Sequence, residues 1–209
     1  MIKGVQFCVN HSSKIRKLDL TDARLAFEPG YNVLIGPNGS GKSTVLKAIA
    51  SCSLCGIDKA QDDNVRYITT EKLSPLAGGT FSSREEMVQG IRAMFLSHGK
   101  GVFDSLRNQT HANETVVLID SPETGQDHEN SEYIHQGLLT MSERYQVIAA
   151  TNSLVFMRGG HLIDLGDDYL ARLVEATGGL AASLGFSLRS NGSPQAAKQA
   201  RRLRPRRPL

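Results

Sequence analysis

One stretch of the chain concentrates residue types that together handle phosphate. Gly36-Pro37-Asn38-Gly39-Ser40-Gly41-Lys42-Ser43, with Thr44 after it, satisfies the pattern of a phosphate-cradling loop. Its glycines let successive backbone N–H groups turn inward around an anion, and a helix starting at Lys42 adds the positive end of its dipole. Lys42 supplies a mobile cation for β- and γ-phosphates, and the Ser43 hydroxyl is placed to ligate Mg²⁺. Such a loop needs a second acid for the metal at the end of a neighbouring buried strand. Asp120, directly after the apolar run Val116-Val117-Leu118-Ile119, meets that need. The ligand implied is a nucleoside triphosphate with Mg²⁺.

The elements that must position these groups are legible from pattern. Short apolar and polar alternations at Ile2 to Val9, Arg24 to Phe27 and Tyr31 to Ile35 predict strands, with Glu28-Pro29-Gly30 as the turn before the last. From Lys42 the period changes to helical, placing Val45, Leu46, Ala48 and Ile49 on one side. Val65 to Thr69 suits a strand, 73–83 a loop, and 84–96 a helix with Met87, Ile91, Met94 and Phe95 on its core face. Val116 to Ile119 and Gln146 to Thr151 read as strands buried on both faces of a parallel sheet. Tyr133 to Tyr145 reads as helix, His161 to Leu165 as strand and Asp168 to Thr177 as helix. The expectation is an α/β domain: a mainly parallel central sheet flanked by helices, with an N-terminal antiparallel strand region and a short helical insert.

On these residues the chain resembles a family. GPNGSGKST (Gly36 to Thr44), preceded by FEPGYNVLI (Phe27 to Ile35), is similar to the ATP-binding-cassette superfamily of P-loop NTPases, in its soluble branch of SMC, RecF and OLD-type ATPases. There the strand bearing the metal acid continues as Asp-Glu-Pro and a short loop ending in Asp. Here DSPETGQD gives Asp120, Ser121, Pro122 and Asp127. LSHGK, with Leu96 lying 24 residues before Asp120, resembles the family's Leu-Ser-Gly-Gly-Gln signature. VIAATNS (Val147 to Ser153) resembles the strand leading to the family's switch histidine, with Asn152 in that place. The resemblance covers residues 1 to 166. Only 78 residues separate Lys42 from Asp120, which excludes long coiled-coil arms between them.

The resemblance implies a head-to-tail pair, either a homodimer or paired subunits, in which Ser97, Gly99 and Lys100 of one copy close the γ-phosphate of ATP held by the other. ATP binding and association are then linked. Two departures bear on hydrolysis. The slot of the usual general base holds Ser121, which has no carboxylate, and Asn152 hydrogen-bonds but cannot relay a proton as His does. Glu123 is the nearest substitute carboxylate, and Glu71 falls near the place of a metal-contacting Gln. The expectation is slow Mg-dependent ATP hydrolysis carried by Lys42, Asp120, Glu123 and Asn152. The alternatives are a hydrolysis-deficient nucleotide-sensing subunit and, with less support, the motor subunit of a transporter. His128, Glu129 and His135 beside Asp127 read as a polar helix start rather than metal ligands.

Composition agrees with a folded chain and narrows its partners. Of 209 residues, 40% are apolar and 6% aromatic with no Trp, so the core is aliphatic and base stacking on single strands is not advertised. No apolar stretch approaches a membrane span and the first thirty residues lack a signal peptide's centre, so the expected location is cytoplasmic. Residues 188–209 hold seven basic residues and no acid, leaving 1–187 at −4 beneath a total of +3. The expected organisation is an ATP-binding domain over 1–187 and a disordered basic tail over 188–209, suited to DNA or another polyanion. The cysteines are Cys8, Cys52 and Cys55. Cys52-Ser-Leu-Cys55 has the spacing of half a zinc site or a redox pair, without a second half, and reads as apolar filler at i and i+3 after a helix.

Overall fold

The computed structural model describes residues 1–16, 18, 23–69 and 115–184. Residues 1–170 form one compact unit, and a second unit begins at Ala171. The described elements are β1 (Ile2–Gln6), α1 (Val9–Ser12), β2 (Arg24–Ala26), β3 (Tyr31–Ile35), α2 (Lys42–Ser51), β4 (Gly56–Lys59) and β5 (Val65–Thr69). After them come β6 (Val116–Asp120), α3 (His128–Ser142), β7 (Gln146–Ala150), a 3₁₀ turn (Leu154–Met157), β8 (His161–Asp164) and α4 (Tyr169–Ser183).

The strands form two sheets. β5-β6-β7-β3-β8 is parallel throughout, and β2-β1-β4 is antiparallel. In β3 all five residues are buried, and so are all five of β7 and the first four of β6. Such runs belong in a parallel sheet covered on both faces, where no side of the strand meets water. α2 turns Val45, Leu46, Ala48 and Ile49 inward, as its period requires, and packs on β5, β6 and β7. α3 packs on β3, β7 and the 3₁₀ turn. Ile2, Val5 and Phe7 of the antiparallel layer share one aliphatic core with Leu34, Leu118 and Ile148.

Several boundaries differ from the sequence reading. β1 stops at Gln6, because Cys8 caps a short helix over Val9–Ser12. α3 starts five residues earlier than its apolar period, at His128. Asp127 is its N-cap and accepts from Asn130 N at 2.7 Å, satisfying one of the helix's orphan donors. His135 lies buried in α3 with Nε2 against Arg158 O at 2.9 Å, near the rings of Tyr31 and Phe156, while His128 stays exposed at the helix start beside Glu132, so the two do not cluster. α2 ends at Ser51 and Cys52 is extended (φ −87°, ψ 118°), so Cys52 and Cys55 are not successive turns of a helix. β4, absent from the sequence reading, begins at Gly56. The expected loop at 73–83, the helix at 84–96 and the tail at 188–209 lie outside the described residues. Among the described residues no helix is long and apolar enough to cross a membrane.

Gln146, buried at the start of β7, ties the two sheets together. Its Oε1 accepts from Ile2 N at 2.6 Å, and its Nε2 donates to Ile2 O at 2.7 Å and Glu28 O at 2.9 Å. Gln146→Leu keeps the volume but strips these buried main-chain groups of their partner, at a cost of roughly 2–4 kcal/mol. Urea denaturation should show that loss as a lowered midpoint with an unchanged slope.

Candidate functional site

The carboxyl ends of β3, β6, β7 and β8 lie side by side, since Leu34 pairs with Ala150, Ile35 with Asp164 and Asp120 with Ala150. In open α/β sheets the crevice outside these ends receives ligands. The phosphate loop leaves β3 here. Gly41 caps α2 in the left-handed region (φ +100°), and a Cβ on it would come within 2.7 Å of Lys14 O and 2.9 Å of Ile15. Lys14 and Ile15 therefore back the loop closely, and Arg16 N donates to Ser40 O at 3.2 Å. On the other side, Gly166 lies against Gly36 and Pro37 so tightly that a Cβ on it would sit 2.3 Å from Pro37 Cδ. Both walls require glycine for room, and Gly41 for its backbone angle as well.

Within the loop, Lys42 is buried and its Nζ donates to Gly36 O at 2.7 Å and Pro37 O at 3.1 Å. These partners are neutral. Burial pulls the ammonium pKa below its ordinary value, while the charges of Glu123 and then Asp120 pull it back up. Ser40 Oγ is buried without a hydrogen-bond partner among the described residues. Ser43 Oγ donates to Asp120 Oδ1 at 3.0 Å. An orphaned hydroxyl, a desolvated cation and a hydroxyl–carboxylate pair suit a triphosphate with a hard divalent cation, and this donor set fits Mg²⁺. Gly36, Asn38 and Gly39 complete the loop, and Thr44 sits in the first turn of α2.

A second layer surrounds this pair. Glu123 reaches the rim of the loop, where Thr151 Oγ1 donates to its Oε2 and Asn152 N to its Oε1, each at 2.8 Å. Asn152 Nδ2 donates to Asn38 Oδ1 at 2.7 Å, while Asn152 Oδ1 is buried without a partner among the described residues. Lys42, Ser43, Asp120, Glu123, Asn152 and Asn38 are thus brought to one place. Ser97, Gly99, Lys100 and Glu71 lie outside the described residues. Sequence reasoning missed two contributors. Tyr67 Oη donates to Asp120 Oδ2 at 2.9 Å, so Asp120 is held on both oxygens, and Thr151 holds Glu123. Thr151 carried a usable signal, since it follows a buried strand as Asp120 does. Tyr67 carried none beyond a polar tip in a strand adjoining β6.

The fold and this loop are those of a P-loop NTPase domain, with the sheet architecture of the ATP-binding-cassette ATPases. A family model described as an AAA domain (AAA_23) matches residues 13–161, and the chain belongs to that family. Over 31 residues, 15% of this chain, it is 58% identical to the DNA replication and repair protein RecF of Erwinia tasmaniensis, and the match spans 9% of that protein's length. Among solved structures it is similar to MJ1267, an ATP-binding cassette of an ABC transporter in its ADP conformation. That likeness has a TM-score of 0.53 and 15% identity, covers 78% of this chain and 87% of that one, and concerns the fold.

Ser121, in the slot directly after Asp120, holds a left-handed backbone (φ +54°) and its N–H donates to Ala150 O at 2.9 Å. A β-branched residue at such an angle is strained by about 1–3 kcal/mol, whereas glycine is not. Ser121→Val should lower the unfolding free energy by that amount and Ser121→Gly should not, as read by chemical denaturation.

Proposed function

We propose that the chain binds Mg-ATP on Gly36–Thr44 and Asp120 and hydrolyses it slowly, with Glu123 standing in for the carboxylate that the Ser121 slot lacks. The observation that carries this reading is the fixed position of Glu123, gripped by Thr151 and Asn152 beside the loop that holds Lys42. Each carboxylate oxygen receives one of these hydrogen bonds and keeps acceptor capacity for a water. Lys42 neutralises phosphate charge at the loop, and Asn152, already joined to Asn38, offers an amide to the terminal phosphate. Ser43 and Asp120 would hold Mg²⁺, which when bound neutralises charge on the β- and γ-oxygens. The base is borrowed from a loop rather than aimed from the slot after Asp120, which is the physical reason for a low rate.

In this reading the working unit is an ATP-dependent head-to-tail pair. Ser97, Gly99 and Lys100 of one copy close the nucleotide of the other, and the open and closed states pass to a partner. DNA is the partner most in keeping with the basic residues of 188–209, and the RecF protein that the chain matches locally is named for DNA replication and repair. The serine in the base slot favours one other reading, a subunit that senses nucleotide by holding it. A transporter motor has less support and would require co-purification with an integral membrane protein.

Steady-state phosphate release from the full chain decides between hydrolysis and sensing. Lys42→Ala should fall to background, and Glu123→Gln should lose about 10²–10⁴-fold in rate while still binding ATP. Equal release by the wild-type chain and Lys42→Ala would leave only the sensing role. Size-exclusion chromatography should also show the chain doubling in mass with ATP, and Ser97→Arg staying single.

A further inference from the structure

A second constellation lies outside the phosphate loop. The chain has three cysteines, and the structure brings all of them together with one histidine, although the sequence separates the two pairs by 44 residues. Cys8 caps α1 and His11 follows one turn later, so both face the same side. Cys52 is the residue just past α2, and Cys55 precedes β4, which pairs antiparallel with β1 and so carries the second pair to the first. The half-motif at Cys52 and Cys55 therefore has its complement upstream, in Cys8-Val-Asn-His11, and the expectation that a second half is missing is corrected.

The distances are those of four donors around a common centre. Cys8 Sγ lies 3.7 Å from Cys55 Sγ and 4.0 Å from Cys52 Sγ. His11 Nδ1 lies 3.1 Å from Cys8 Sγ and 3.5 Å from Cys55 Sγ, and all four atoms fall within 4.8 Å of one another. Thiolates bound at about 2.3 Å to a tetrahedral zinc stand about 3.8 Å apart, which is the edge seen here. A disulfide needs sulfurs about 2.05 Å apart, and it would use two of the thiols and leave the third and the imidazole unexplained.

We propose that Cys8, His11, Cys52 and Cys55 bind one zinc ion as a closed structural site, joining the β1–α1 corner to the far end of the helix that carries the phosphate loop. Three sulfurs and one imidazole nitrogen in tetrahedral array select zinc among the common divalent ions, and the four protein ligands leave no position for a substrate. Cys8 N donates to Cys55 Sγ at 3.4 Å, a backbone hydrogen bond that eases the charge on a metal-bound thiolate. Cys55 is buried in the aliphatic core with Cys8 and Cys52 packed against it, which closes the site to solvent on one side. Binding displaces the three thiol protons to solvent, with no change of oxidation state. The consequence reaches the nucleotide site, because the chain runs from His11 directly to Lys14, Ile15 and Arg16, which back the loop at Ser40 and Gly41. The proposal does not rest on ATP hydrolysis, since none of its four ligands belongs to the phosphate loop.

The test is metal analysis of the full chain, free of affinity tags and purified without chelator. Elemental analysis should find roughly one zinc per chain, released by a thiol-blocking mercurial. Cys8→Ser and Cys55→Ser, singly and together, should fall below about a tenth of an equivalent. If those variants do not fold, the wild-type chain still decides the matter. Exchange of its metal for Co²⁺ should give the intense d–d bands of tetrahedral cobalt and a thiolate charge-transfer band, and strong chelators should lower its melting temperature. A zinc-supplied wild-type chain that holds less than a tenth of an equivalent overturns the proposal. So does an octahedral cobalt spectrum, or full zinc content in a folded Cys8→Ser/Cys55→Ser double variant. Nucleotide binding measured alongside separates the two sites, since a chain can fail either test and pass the other.

Discussion

The hydrogen bond from Ser43 to Asp120 joins residues 77 positions apart, and the site has no meaning unless it forms. β3 and β6 are not neighbours. β7 lies between them, so the loop after β3 and the end of β6 stand two strand spacings apart, about 10 Å. The first turn of α2 spans that gap from one side and the Asp120 side chain from the other. Parallel register makes this reliable, because all the carboxyl ends finish along one line and Ala150 pairs with both Leu34 and Asp120. Tyr67 comes up from β5 on the far side and holds the second carboxylate oxygen, so Asp120 is aimed from both flanks.

Electrostatics sets the character of the crevice. Lys42 is taken out of water and given only carbonyl oxygens as partners, with Glu123 and Asp120 acting on it at longer range. A buried cation without a contacting counter-ion is an unfavourable arrangement that an incoming anion relieves. The acids are spoken for locally: Asp120 by Ser43 and Tyr67, Glu123 by Thr151 and Asn152. Lys42 is thus left directed at the loop it lines, which is the charge distribution of an anion receptor.

The parts legible in the sequence were those carried by local rules. The loop from Gly36 to Ser43, the buried runs of β3, β6 and β7 and the inward face of α2 follow from glycine stereochemistry and hydrophobic period. The parts that escaped were made by pairing between distant segments. β4 is short and half polar, so no period announces it, yet its pairing with β1 brings Cys55 to Cys8. The cysteines looked incomplete because their complement is a Cys-x-x-His on a four-residue helix too short to show a period. Tyr67 was silent for a related reason, since its partner Asp120 is set by strand register rather than by spacing along the chain. Helix starts were misplaced where a polar cap rather than an apolar residue opens the helix, as Asp127 does for α3.

β7 fixes a distance in the molecule. At its first residue Gln146 clasps Ile2 and Glu28, and just beyond its last Thr151 and Asn152 hold the Glu123 carboxylate. The five residue steps from Gln146 to Thr151 span about 17 Å in extended backbone, so the strand sets the separation of its two ends. Strand geometry also gives that separation a parity: adding or deleting a single residue would turn every following side chain to the opposite face. Length variation during divergence is therefore closed to this segment and left to the connections on either side of it.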